Sequence, residues 1–236
     1  MAVLALIREH DDLEFVLPWA SILARSRSLP LSIACLRPDA VRAGHAEGET
    51  LEETCRRYAA NISFHSPVEV VRWDGPNRVS RVADYARENG VQLIVTAAAS
   101  SDGRFATTYA GDPILKQSPC LIVSLCGSPD RSVEPRRIFV AASDNGHDPI
   151  ALTIAKSMAD RQGAWVTLAR TESDLHDGGA ALGRRELLDL AFDAGIESED
   201  WLDFQVFESG DQASLVASAE EHDLVLVGAN SPLAAA

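Results

Sequence analysis

The stretch Val3-Leu4-Ala5-Leu6-Ile7, followed by an amphipathic segment from Leu13 to Arg27 and then by Leu31-Ser32-Ile33-Ala34-Cys35-Leu36, decides the fold class. Its outer parts are apolar runs of strand length with no helical spacing of polar residues. The middle part places Phe15, Val16, Trp19, Ile22 and Leu23 at helical spacing, with His10-Asp11-Asp12 as its cap. Strand, helix and strand in this order make a β-α-β unit. Parallel neighbours need a crossover, and a sheet covered on both faces wants continuous apolar strands.

The pattern continues downstream. Arg37 to Thr50 is polar and reads as a loop, Leu51 to Ala60 as a helix, and Pro67 to Trp73 as a strand closed by the turn Asp74-Gly75-Pro76. Arg78 to Glu88 is a helix with Asn89-Gly90 as its stop signal, and Leu93-Ile94-Val95 and Cys120 to Leu125 are two more apolar strands. After Gly127 to Pro135, rich in Ser, Pro and charge, the series repeats. Ile138 to Ala142, Ala164 to Leu168, Phe204 to Phe207 and Leu224 to Val227 read as strands, and Pro149 to Arg161, Leu187 to Ala194 and Gln212 to Glu221 as helices. The expectation is two tandem doubly wound α/β domains, flavodoxin-like three-layer sandwiches with parallel sheets, at residues 1–126 and 136–236 with a linker at 127–135. Nothing in the second repeat answers Leu121 to Leu125, because only residues 229–236 follow Gly228. Either the fold tolerates a second sheet without its last strand, or the chain is cut from a longer one. A bare edge calls for a covering chain.

Composition narrows the partners. The formal net charge of −14 repels nucleic acid and anionic lipid alike. The four cysteines, Cys35, Cys55, Cys120 and Cys126, show no C-x-x-C and no metal-ligand spacing with His, so no metal site is expected. Cys35 and Cys120 lie in apolar runs and read as small buried hydrophobes in a reduced, cytoplasmic protein. No apolar run reaches the roughly 18–20 residues that span a bilayer, so no direct membrane insertion is expected.

The order of elements, ending in Ser118-Pro119-Cys120-Leu121-Ile122-Val123, resembles the universal stress protein family in its tandem form. The resemblance implies the adenine-nucleotide alpha hydrolase-like version of the sandwich. It also implies a place for a nucleotide, since binding members carry G-x-x-G-x9-G and then Ser or Thr after the fourth strand. Glycines let backbone approach phosphate, and the following helix start offers N–H groups to the anion. Here the strand register puts Ala97 and Ser100 at the first two glycine positions, whereas counting back from Gly111 gives Ala98 and Ser101. Both glycines are absent either way, and Asp112 follows Gly111, where a carboxylate would face phosphate. The family's acidic residue at the end of the first strand is answered by Arg8 and Ser143, with Asp144 one step away. The second repeat keeps one glycine, Gly228. Ser100, Ser101, Gly111, Asp112 and Gly228 thus mark a degenerate nucleotide loop. No cofactor is expected, with ATP or another adenine nucleotide disfavoured.

Other chemistry is sparse. His10-Asp11-Asp12, His147-Asp148 and His222-Asp223 set acids beside histidines, yet adjacency in sequence does not supply the base–orienter geometry of a triad, and all three read as solvated cap or turn residues. His-Glu-x-x-His, G-x-S-x-G and a complete Walker loop do not occur, so no catalytic residue is named. Ser100 to Arg104 reads as a turn, Thr107, Thr108 and Tyr109 as a helix start, and Glu197 to Asp203 as a solvated acidic loop. Trp19, Trp73, Trp165 and Trp201 read as packing residues. The expected function is a non-enzymatic binding or signalling module in the cytoplasm, a homodimer with Leu121 to Leu125 near its interface. A cytoplasmic regulatory domain of, or partner to, a membrane transporter and an ATP-binding stress protein are the alternatives.

Overall fold

The apolar run at the start of the chain forms β1 (Ala2–Ile7), buried at every position, and Leu31–Leu36 forms β2, equally buried. In a computed structural model, residues 1–8, 10–36, 50–61, 67–73, 77–97, 118–125, 135–142, 148–171, 179–196, 200–208 and 211–228 are described. The chain divides into two compact units, Met1–Asp130 and Arg131–Ala236.

In the first unit α1 (His10–Ser26) crosses from β1 to β2, α2 (Leu51–Asn61) leads to β3 (Glu69–Trp73), and α3 (Arg78–Glu88) leads to β4 (Val91–Ala97). With β5 (Leu121–Leu125) these strands form a parallel sheet in the order β3-β2-β1-β4-β5. Period-2 alternation sorts its side chains between two helical layers. Ala2, Leu4, Leu6, Ala34 and Leu36 join Val82 and Ala86 of α3 in one core cluster, which Tyr85 and Cys120 flank. The alternate residues Val3, Ala5, Ile7, Ile33 and Cys35 are also buried, and α1 packs on β1 and β4. Gly90 closes α3 at φ +60, a left-handed value that suits a residue without Cβ, and its carbonyl accepts the Ala2 N–H at 3.2 Å.

α2 begins at a capping box that the sequence reading passed over. The Thr50 N–H donates to Glu53 Oε2 at 2.8 Å, and the Glu53 N–H donates to Thr50 Oγ1 at 3.3 Å. Its other face is polar, and Cys55 is its fully buried side chain.

The second unit follows the same order with β6 (Arg137–Ala141), α4 (Asp148–Gln162), β7 (Trp165–Thr171), α5 (Gly179–Asp193), β8 (Leu202–Phe207), α6 (Gln212–Glu220) and β9 (Leu224–Val227). Its parallel sheet has four strands in the order β8-β7-β6-β9. Phe139, Ala141, Ala169, Leu215 and Ala219 form a core cluster there. α6 is capped by Asp211, whose carboxylate accepts the Ser214 N–H at 3.1 Å.

Three sequence expectations change. α5 starts at Gly179 rather than at Leu187, because packing holds a glycine-containing segment helical despite a propensity cost of about 1 kcal/mol per glycine. The acidic run expected as a loop from Glu197 to Asp203 ends inside β8, where Asp203 pairs with Thr167 in the parallel ladder. Trp19 and Trp73 are buried as expected, but Trp165 is 49% exposed, since it opens β7 at the edge of the covered region.

Candidate functional site

In an open α/β sheet, ligands bind outside the carboxyl ends of the strands where the strand order reverses. In the first unit that point lies between β1 and β4, and in the second between β6 and β9. The registers make the two points equivalent: Leu6 lies opposite Thr96 as Ala141 lies opposite Val227. Ala97 and Gly228 therefore occupy matching positions at the exits of β4 and β9.

At the first point β1 exits through Arg8, whose N–H donates to Asp12 Oδ2 at 3.0 Å. The carboxylate sits in the first turn of α1, where partial positive charge from unpaired N–H groups favours an anion. The protein thus supplies its own negative group at that helix start. Beside it Thr96 is buried and its hydroxyl donates to the Ala97 carbonyl at 3.3 Å.

At the second point the Ala142 N–H donates to the Ala169 carbonyl at 2.7 Å, and Gly228 is buried at the end of β9. Next along the sheet, Arg170 and Thr171 end β7 and are each 6% exposed. The Arg170 guanidinium meets Glu186 of α5 at 2.9 Å. Removing Glu186 would take a charged partner from a guanidinium that is almost wholly out of water. Sequence reasoning did not single out Arg170, although an arginine closing the apolar run Val166 to Ala169 is the signal that marks it.

Of the His–Asp pairs, the one described in full is His222-Asp223, and it is structural. The solvated-turn expectation fails for His222, which is 5% exposed. Its Nδ1 donates to the Ser218 carbonyl at 2.7 Å, and its Nε2 is hydrogen-bonded to Thr167 Oγ1 at 2.9 Å. The ring stands edge-on to Phe139 with centroids 5.2 Å apart. Asp223 Oδ2 accepts the N–H groups of Arg136 at 2.8 Å and Arg137 at 3.0 Å, while the Asp223 N–H donates to the Arg137 carbonyl at 2.9 Å. These bonds fasten the starts of β6 and β9 together.

The bonds from Arg136 and then Arg137 hold the Asp223 carboxyl below the usual Asp value. A carboxyl whose folded pKa is depressed stabilises the fold above its unfolded value, about 3.9, and that contribution fades as pH falls through the folded value. Asp223→Asn is expected to lower the urea midpoint at neutral pH, with the gap to wild type closing below the ordinary carboxylate range. A gap independent of pH would show that the charge contributes nothing.

Ser100, Ser101, Gly111 and Asp112 lie outside the described residues, as do Arg104, Thr107, Thr108, Tyr109, Ser143, Asp144 and His147. The side chains of His10, Asp11 and Asp148 are likewise not described. Among the described residues no group of three or more His, Cys, Asp or Glu is placed to hold a metal ion, and no helix is long and apolar enough to cross a membrane.

No protein-family model and no curated protein matches the sequence. Solved structures do match the fold. A universal stress protein from Archaeoglobus fulgidus DSM 4304 is 13% identical, with a TM-score of 0.61 over 96% of this chain and 84% of that one. A protein of unknown function from Pseudomonas aeruginosa PAO1 gives 15% identity and a TM-score of 0.56 over 97% and 82%. A candidate universal stress protein from Pseudomonas aeruginosa UCBPP-PA14 gives 14% and 0.58 over 96% and 81%. The chain has the fold of the universal stress proteins, as the order of its elements implied, and at these identities the likeness is one of fold.

Proposed function

We propose that this chain is a non-enzymatic binding or signalling module of the universal stress type, a cytoplasmic homodimer whose first crevice does not take a nucleoside triphosphate. The observation that carries this reading is Ala97 at the exit of β4, which the strand register sets where the resemblance calls for the first glycine of the nucleotide loop. A Cβ there stands in the way of the close backbone approach that phosphate needs. The Asp12 carboxylate, bonded to the Arg8 N–H, adds negative charge at the start of α1. The His222-Asp223 pair supports a non-catalytic role, because its ring nitrogens and carboxylate are spent on holding β6, β7 and β9. Pairing with a second copy is supported by β5, an apolar edge strand whose Leu121, Ile122 and Val123 are only half-buried.

Native mass spectrometry of the purified protein tests the reading. Twice the chain mass with no bound nucleotide is expected, and calorimetry with ATP and magnesium is expected to give no heat at micromolar protein. A co-purifying adenine nucleotide, or micromolar ATP binding that Gly111→Ala removes, would overturn the nucleotide-free reading. A monomer alone would remove the dimer.

A further inference from the structure

Cys35 and Cys55 belong to different elements and meet at the carboxyl end of β2. Cys35 is on the strand face opposite to Ala34 and Leu36, away from the cluster that Cys120 flanks. Cys55 reaches it from α2 as that helix's fully buried side chain. Both are free thiols, 3% and 0% exposed, with the two sulfurs within hydrogen-bonding reach of each other.

Charges surround the pair. Arg72 lies in register opposite Cys35 on β3, and its guanidinium binds Glu52 of α2 at 3.3 Å. Arg56, one turn further along α2, binds the same carboxylate at 2.7 Å. The hydrogen bond from Cys55 pulls the Cys35 thiol below the ordinary value, with Arg56 and Arg72 helping against burial and Glu52. The same bond, with burial, pushes Cys55 far up. One sulfur is therefore disposed to be the thiolate nucleophile and the other to keep its proton.

We propose that Cys35 and Cys55 form an oxidant-sensitive dithiol site that hydrogen peroxide closes to an intramolecular disulfide. The Cys35 thiolate attacks a peroxide oxygen, the O–O bond breaks, and the departing hydroxide takes a proton to leave as water. Cys35 is then a sulfenic acid. The Cys55 sulfur attacks the Cys35 sulfur, an S–S bond forms, the S–O bond breaks, and the hydroxyl leaves as water with the Cys55 proton. Two thiols are oxidised, one hydrogen peroxide is reduced, and two waters are released. The product ties α2 to β2.

The test treats the full, reduced chain with hydrogen peroxide under native conditions, quenches it, and counts thiols after unfolding. The four thiols of the sequence are expected to fall to two, with a mass lower by the two thiol hydrogens and recovery by dithiothreitol. Peptide mapping of the wild-type protein is expected to find Cys35 joined to Cys55, which decides the matter even where a variant fails to fold. Cys120→Ser is expected to lose the same two thiols, while Cys55→Ser halts at a Cys35 sulfenic acid that a carbon nucleophile traps. Four surviving thiols, a bond through Cys120 or Cys126, or a bond between two chains would each overturn the proposal.

Discussion

Phe139→Ala is expected to destabilise the second unit by about 4 kcal/mol, within the roughly 3–5 kcal/mol typical of aromatic truncation in a core. Phe139 is fully buried on β6, the strand flanked by both β7 and β9. Its cluster partners include Ala141, Ala169 and Ala219. The alanines cannot reach into the space left by the ring, and Leu215 and His222 are held by their own packing, so much of the cavity term remains. Chemical denaturation followed by circular dichroism measures the change. A loss under about 1 kcal/mol would mean that the site collapses freely and that the packing described for β6 is wrong.

His222→Ala is expected to cost about 2–4 kcal/mol, combining a cavity with a buried Thr167 hydroxyl that loses its partner. His222→Phe separates the two contributions, because it keeps the volume beside Phe139 while removing both ring hydrogen bonds. It is expected to recover part of the loss and leave about 1–3 kcal/mol for the unpaired hydroxyl. Since the two rings touch, a double-mutant cycle with Phe139→Ala is expected to show coupling of about 0.5–1.5 kcal/mol. Additive losses would sink the edge-on contact.

The strands were legible because a parallel sheet covered on both faces leaves uninterrupted apolar runs, as in Val3 to Ile7 and Leu224 to Val227. The start of α5 was hidden, because a glycine-containing segment looks like a loop until tertiary packing is known. The candidate site was less legible than the fold. Arg8 and Gly228 could be placed by counting, but the bond from the Arg8 N–H to Asp12 depends on a side-chain rotamer that no spacing encodes. The role of His222 was misread for a related reason. A helix-to-strand turn is usually solvated, yet here Thr167, remote in sequence, comes over the ring. Cys35 reads as a small buried hydrophobe and Cys55 belongs to no motif, and only the seating of α2 on β2 brings them together.

The placement of β1 and β6 inside their sheets sets the order in which the molecule can be built. Val3 pairs with Leu31 on one side and with Leu93 on the other, and Phe139 pairs with Thr167 and Val225. Each unit therefore begins with a strand whose second neighbour is among the last parts of that unit to leave the ribosome. Until then one edge of an almost wholly apolar strand stays open, a period of exposure that pairing between distant segments makes long. Asp223, just ahead of β9, gives the late arrival a handhold. By gripping the N–H groups of Arg136 and Arg137 it fixes where the incoming strand begins, so that the last strand docks in one register.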